Sequence, residues 1–300
     1  AKYPVYKNTD MEYYNTALES FEAQLWELSK AEKFIFMEYH AIEDAISFER
    51  LKKVLIDKAK NGVEVRIFYD DLGSIFFLNK EFIKLMRDEG IQCRVFNPLK
   101  VIVNMFMNNR DHRKICVIDG HVAFTGGINL ADEYINQKVR FGHWKDTAVM
   151  LKGEAVQNFT MMFLQMWNVS ERGKEDYTKY LTPKSLDIRR ELGFVLPYAD
   201  SPFDHENIGE QVYFHLLNHA KKYVHIMTPY LILDNEMVTN LTYTAKCGIE
   251  VIIIMPHIPD KWYAFAVAQT YYEELISAGV QIYEYTPGFV HAKVFVSDND

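Results

Sequence analysis

Three hundred residues suffice for one large α/β domain or two of ordinary size. With 49% hydrophobic and 25% charged residues the chain can bury a sizeable core, which excludes general disorder, and a net charge of −8 opposes a nucleic-acid coat protein. Cys93, Cys116 and Cys247 are too few and too scattered for a disulfide framework or a zinc knuckle, and no apolar run reaches the roughly 20 residues of a membrane helix.

In chain order, Met11, Tyr14, Leu18, Phe21, Leu25 and Leu28 recur at three- and four-residue spacing, which predicts one apolar helix face. Phe34 to Tyr39 is short and β-rich and reads as a buried strand. Asp44 is a candidate cap for a second helix with the face Leu51, Leu55 and Ala59, ended by Gly62; Val63 to Tyr69 is the next strand. The pattern then returns. Ala31–Phe36 resembles Ala220–His225, Ala59–Val65 resembles Ala245–Val251, and Gly90-Ile91-Gln92 matches Gly279-Val280-Gln281. A repeat this long means two similar domains. The second copy predicts a helix through Val212, Leu216 and Ala220, a strand over 223–228, a helix from Asp234, and a strand over 249–255 after Gly248. Helix–strand alternation predicts an α/β fold of two similar lobes, each with a mixed, largely parallel sheet flanked by helices. Periodicity fades where Pro183, Pro197 and Pro202 interrupt, so the expected lobes are 1–170 and 206–300, with 171–205 connecting them. The chain begins at Ala1 and stops at Asp300 just after a strand-like run, and it reads as part of a longer protein.

One pattern occurs in both copies. His112-Arg113-Lys114 followed by Asp119, and His291-Ala292-Lys293 followed by Asp298, both read H-x-K-x4-D. One such match arises from composition about once in ten thousand start positions. Two in step with the duplication are not luck. On a strand, i and i+2 share a face, so each His projects beside its Lys. Imidazole beside ammonium suits phosphoryl chemistry: a neutral His attacks or carries protons, and Lys⁺ stabilises anionic oxygens. Gly126-Gly127-Ile128-Asn129 follows the first motif, with glycines that let backbone amides approach a phosphate and an amide that donates one more hydrogen bond. Asp119 and Asp298 close their strands, where capping the following turn competes with a part in the chemistry.

Paired H-x-K-x4-D motifs, the first followed by G-G-x-N, resemble the signature of the phospholipase D superfamily. Within it the chain looks like the bacterial cardiolipin synthases, on strings such as Phe34–Tyr39, Tyr69-Asp70-Asp71, Asn109–Lys114 and Thr228-Pro229-Tyr230. The second motif's downstream Gly and Asn would fall beyond Asp300. The resemblance implies two pseudo-twofold lobes sharing one active site, where His112, Lys114, Asp119, His291, Lys293 and Asp298 are catalytic. Gly126, Gly127 and Asn129 would bind the phosphate. Asp146 would orient the first-motif imidazole. One His forms a phosphohistidine and the other protonates the leaving alcohol; family analogy gives His112 the nucleophile's part.

No metal or organic cofactor is implied. The implied substrate is phosphatidylglycerol, as donor and acceptor, with glycerol released at an anionic phospholipid membrane. The implied location is the bacterial cell membrane, with the catalytic portion on the cytoplasmic side. No nucleic-acid partner is expected, and the oligomeric state is left open. A phospholipase D hydrolase, another phosphatidyltransferase, a nuclease and a binding module with a vestigial site are the alternatives. His40, His121, His143, His205, His215, His219, His225 and His257 share no spacing and read as structural or solvated. The apolar stretches Leu99–Met107 and Ile75–Leu78 read equally as buried segments or as lipid-facing walls that keep water from the phosphoenzyme.

Overall fold

The structure is a computed structural model and describes residues 3–75, 77–78, 80–98, 110–169, 175–181, 193–200 and 206–298. Leu99–Met107, Pro183, Pro202 and His205 lie outside the described residues. The chain forms two compact units, Ala1–Gln137 with Thr147–Tyr198, and Lys138–Asp146 with Ala199–Asp300. The boundaries differ from the sequence reading at one informative place: a nine-residue stretch from the middle of the chain belongs to the second unit.

The first unit is built on a seven-stranded sheet of order β1-β8-β6-β5-β2-β3-β4. Strands β2 (Phe34–Tyr39), β3 (Glu64–Asp70) and β4 (Gln92–Phe96) run parallel. Strands β5 (Ile115–Ile118), β6 (Val122–Gly126), β8 (Ala148–Gly153) and β1 (Thr9–Tyr14) add on antiparallel. The parallel block is where helix and strand alternate, through α2 (Ile46–Lys60), α3 (Asp71–Ser74) and α4 (Lys80–Asp88). The turn joining β5 to β6 is too short for a crossover, so that pair must be antiparallel. Every residue of β2 is buried because both sheet faces are covered. Ile35, Met37 and Tyr39 join the core with Phe21 and Leu28 of α1 (Ala17–Ser29) and Leu51 and Leu55 of α2. On the other face Phe36 stacks on Phe163 of α5 (Val156–Trp167), with ring centroids 4.6 Å apart.

The single helix predicted from Met11 to Leu28 is instead a strand and a helix. Thr16 caps α1: its side chain accepts from the Glu19 amide, and Glu19 accepts from the Thr16 amide, a capping box that fixes the start. Met11 is exposed on β1. Asp44 does not cap α2 either. The first amides of the helix, those of Ile46 and Ser47, are met from 86 and 85 residues away by the Asp132 carboxylate, and Asp44 pairs with Lys52 instead.

The second unit repeats the parallel block. Its four-stranded sheet has order β11-β10-β9-β13. Strands β9 (Tyr223–Met227), β10 (Glu250–Pro256) and β11 (Gln281–Tyr285) are parallel, and β13 (Val294–Ser297) is antiparallel to β9. The same order and directions occur in β4-β3-β2-β5. Helices α6 (Ile208–His219), α7 (Asn235–Lys246), α8 (Trp262–Thr270) and α9 (Tyr272–Ser277) accompany it, and Asp234 caps α7 as the sequence predicts. A separate parallel pair joins β7 (His143–Lys145) to β12 (Gly288–Val290). Gly288 is required there, since a Cβ would lie 2.4 Å from the His143 backbone nitrogen.

Candidate active site

Each motif is described within its own unit. In the first, His112 and Lys114 lie just ahead of β5 rather than on it. The pair is still adjacent: Lys114 Nζ donates to the His112 carbonyl at 2.6 Å and lies 3.3 Å from Nδ1. Lys114 is buried and His112 exposed. The His40 ring packs against His112 at 4.7 Å between centroids. His40 Nδ1 lies 2.7 Å from the Asp111 carbonyl; a carbonyl only accepts, so Nδ1 carries the proton. Burial, aided by Lys114, lowers the His40 pKa and favours the neutral ring. His40, read as merely structural from sequence, is therefore part of the motif's surroundings.

Behind the motif lies a buried charge cluster. Arg113 Nε donates to Glu38 at 2.6 Å, and Asp70 accepts from the Asp111 amide at 2.9 Å. Burial first, and the neighbouring Asp111 second, push the Glu38 pKa well above the usual carboxylate range against the opposing pull of Arg113. Asp70 also caps α3 through the Leu72 and Gly73 amides.

The second motif is held differently. His291 is 7% exposed, and its Nδ1 lies 2.7 Å from the fully buried Asp146. An ionised carboxylate only accepts, so it fixes the Nδ1–H tautomer and leaves Nε2 with the lone pair. Lys293 Nζ lies against the ring, 2.9 Å from Nδ1 and 2.8 Å from Nε2, and donates to the His291 carbonyl at 2.5 Å. Lys293 is exposed as a residue, with its ammonium against the histidine. Desolvation lowers its pKa to about 8, while Asp146 and Asp260 favour the charge and Lys261 opposes it. The β7–β12 pair brings Asp146 here: Val290 pairs with Lys145, whose carbonyl accepts from the His291 amide at 2.8 Å.

Several expected residues take other tasks. Asp146, expected to orient His112, holds His291. Asp119 and Asp298, expected to be catalytic, sit at the far ends of β5 and β13 from the histidines with left-handed backbones. Asp119 accepts from the amides of Glu32, Lys33 and Phe34, and Asp298 from those of Lys221, Lys222 and Tyr223. Each is a clamp that joins the end of the motif strand to the start of the first parallel strand. Gly126 and Gly127, expected to cradle phosphate, are packed against β8. A Cβ on Gly126 would lie 2.5 Å from the Thr147 carbonyl oxygen, and the Gly127 amide donates to that same oxygen. Asn129 is buried, accepting from the Ala41 amide and donating to the Tyr134 hydroxyl at 2.7 Å. It braces the chain behind Lys114, with which it lines a small cavity.

Sequence reasoning missed Tyr230, Asp260 and Lys261 as one cluster. Tyr230 OH and Lys261 Nζ both lie 2.7 Å from Asp260 Oδ2. The available signal was position: these residues follow β9 and β10 as Asp70 ends β3.

The chain is similar to known proteins along nearly its whole length. The family described as "Cardiolipin synthase, PLD-like domain" matches residues 25–167 and 213–300, so it includes both motifs. An uncharacterized protein of Streptococcus mutans is 52% identical over 99% of this chain and 64% of its own length. A cardiolipin synthase of Alkalihalophilus pseudofirmus is 35% identical over 100% of this chain and 59% of its own. The chain thus spans about three-fifths of the length of these relatives. Among solved structures, phosphatidylserine synthase of Haemophilus influenzae has a TM-score of 0.67 at 16% identity, over 96% of this chain and 76% of that one, a likeness of fold. With the family match spanning more than three quarters of its residues, this chain belongs to the cardiolipin synthase, PLD-like domain family.

Proposed function

We propose that the protein transfers a phosphatidyl group between phospholipid alcohols, making cardiolipin and glycerol from two phosphatidylglycerol molecules at the bacterial cell membrane, with its catalytic portion on the cytoplasmic side. The observation that carries this reading is the His291–Asp146 pair with Lys293 on the imidazole, a set suited to moving a proton beside an anion. His112 attacks phosphorus and holds the phosphatidyl group as a phosphohistidine. His291, starting as the imidazolium, gives its Nε2 proton to the departing glycerol oxygen and is left neutral with Nδ1–H on Asp146; it then takes the proton of the incoming lipid hydroxyl and returns to the imidazolium. A carboxylate on Nδ1 stabilises the imidazolium that this second task passes through, which supports the division of roles. Lys114 and Lys293 stabilise the phosphoryl oxygens. Among the described residues no helix is long and apolar enough to cross a membrane.

The test is to incubate the full-length protein with phosphatidylglycerol vesicles and identify the products. Cardiolipin and glycerol in equal amounts are expected; phosphatidic acid without cardiolipin would make the protein a hydrolase. Phe77, 38% exposed and outside the core, provides a finer test of water exclusion. Phe77→Ser should raise phosphatidic acid relative to cardiolipin about two- to fivefold, and an unchanged ratio would reject this residue as a wall.

A further inference from the structure

Beside the second motif, in the same unit, lies a built polar cluster. Tyr230 follows β9, and Asp260 and Lys261 follow β10. These are the carboxyl ends of two parallel strands, where α/β sheets hold their ligands. Asp260 Oδ2 accepts from the Tyr230 hydroxyl and from Lys261 Nζ, each at 2.7 Å, and Lys261 Nζ also lies 2.6 Å from the Tyr230 oxygen. The other oxygen, Oδ1, is buried and has no hydrogen-bond partner among the described residues. A buried acceptor left bare forfeits its hydration without return, so this oxygen calls for a donor that the described residues do not supply.

We infer that Asp260 Oδ1 receives a hydroxyl of the lipid headgroup, making Asp260 the residue that selects a neutral polyol such as glycerol. A carboxylate only accepts, so the ligand group must be a donor. Ammonium headgroups also donate, but the Lys261 and Lys293 charges close by repel them. A hydroxyl meets both conditions. Trp262 and Tyr263, next in the chain, are 78% and 55% exposed, and such aromatics suit the headgroup level of a lipid surface.

This inference rests on the phosphatidyl-transfer reading and deepens it. The test uses the full-length protein and two lipids with the same acyl chains, phosphatidylglycerol and phosphatidylpropanol, which differ only in the two headgroup hydroxyls. Headgroup release is measured as kcat/KM for each lipid in wild type, Asp260→Ala and Asp260→Asn. Wild type is expected to prefer phosphatidylglycerol about a hundredfold, since a site built to bond a hydroxyl rejects the analogue without one. Asp260→Ala should bring the two lipids within about threefold through loss on phosphatidylglycerol, with Asp260→Asn between, because an amide keeps one acceptor. The ratio is taken within one preparation, so partial misfolding cancels. A wild-type ratio in Asp260→Ala would overturn the inference alone. A wild type that releases neither headgroup would overturn it together with the transfer reading.

Discussion

The two motifs share a sequence pattern and differ in what surrounds the imidazole. Their common part is structural. In both, the lysine ammonium bonds the histidine carbonyl, at 2.6 Å in the first and 2.5 Å in the second. In both, the terminal aspartate clamps three backbone amides at the start of the neighbouring parallel strand. The differing part is chemical. His291 is nearly enclosed and held by a buried carboxylate, whereas His112 is exposed and packed against a neutral imidazole. Duplication has kept the carbonyl-bound lysine and the aspartate clamp and changed what meets the imidazole.

The largest expected effect comes from the histidines themselves. His112→Ala or His291→Ala in the full-length protein should each lower cardiolipin formation by roughly three to six orders of magnitude. A rapid denaturing quench of the wild-type protein sharpens the comparison: the phosphatidyl group should be found on His112, and a phosphatidyl group found on His291 would reverse the roles. Asp146→Asn should follow, with a loss of about a hundred- to ten-thousandfold, because an amide no longer fixes the Nδ1–H tautomer. If it instead left turnover within tenfold, the contrast between the motifs would carry no chemistry.

Lys293 separates activity from stability by pH. Its pKa is lowered to about 8 from an ordinary 10.5, so the ammonium is lost as pH rises through about 8. Transfer should fall about tenfold per unit above that point, and Lys293→Arg should keep whatever activity it has to higher pH. Stability should move the other way. Between about 8 and 10.5 the unfolded chain binds more protons than the folded one, so unfolding free energy rises with pH in that window. A rate limb that Lys293→Arg leaves in place would assign the titration to another group.

Much of the fold could be read in the sequence, because the duplication supplied each assignment twice. Gly62 and Gly248, both in the left-handed region at +88° and +86°, end helices α2 and α7 at the expected places. The error at residues 11–28 had a local remedy in the Thr16–Glu19 capping box, which a count of apolar spacings does not see. The site was less legible where it depends on long-range pairing. Asp146 is separated from His291 by 145 residues, and only the β7–β12 pair brings it there. Glycines in a Gly-Gly-x-Asn string suggest a phosphate loop, yet close packing of β6 against β8 demands the same absence of a side chain. The Asp260 cluster has no motif, because its three residues come from two separate connections.

The smallest expected effect tests the shared part of the comparison. Asp119 makes no contact with His112 and instead terminates β5, so its removal should act on folding and leave the chemistry nearly intact. Asp119→Ala leaves three backbone amides at the start of β2 without their charged acceptor. Hydrogen bonds of this kind at a partly exposed turn imply a loss of about 1–3 kcal/mol in unfolding free energy, measurable by urea denaturation. The left-handed backbone at Asp119, φ 52°, distinguishes clamp from conformation. Asp119→Gly restores the backbone preference but not the carboxylate, and Asp119→Asn restores one acceptor and tolerates the same φ. If the clamp matters, Asn should be more stable than Gly; if conformation matters, Gly should equal or exceed it. In either case turnover per folded molecule should stay within about tenfold of wild type, against the thousandfold or greater loss at His112. A loss at Asp119 as large as at His112 would return this aspartate to the reacting groups and break the division between what the two motifs share and where they differ.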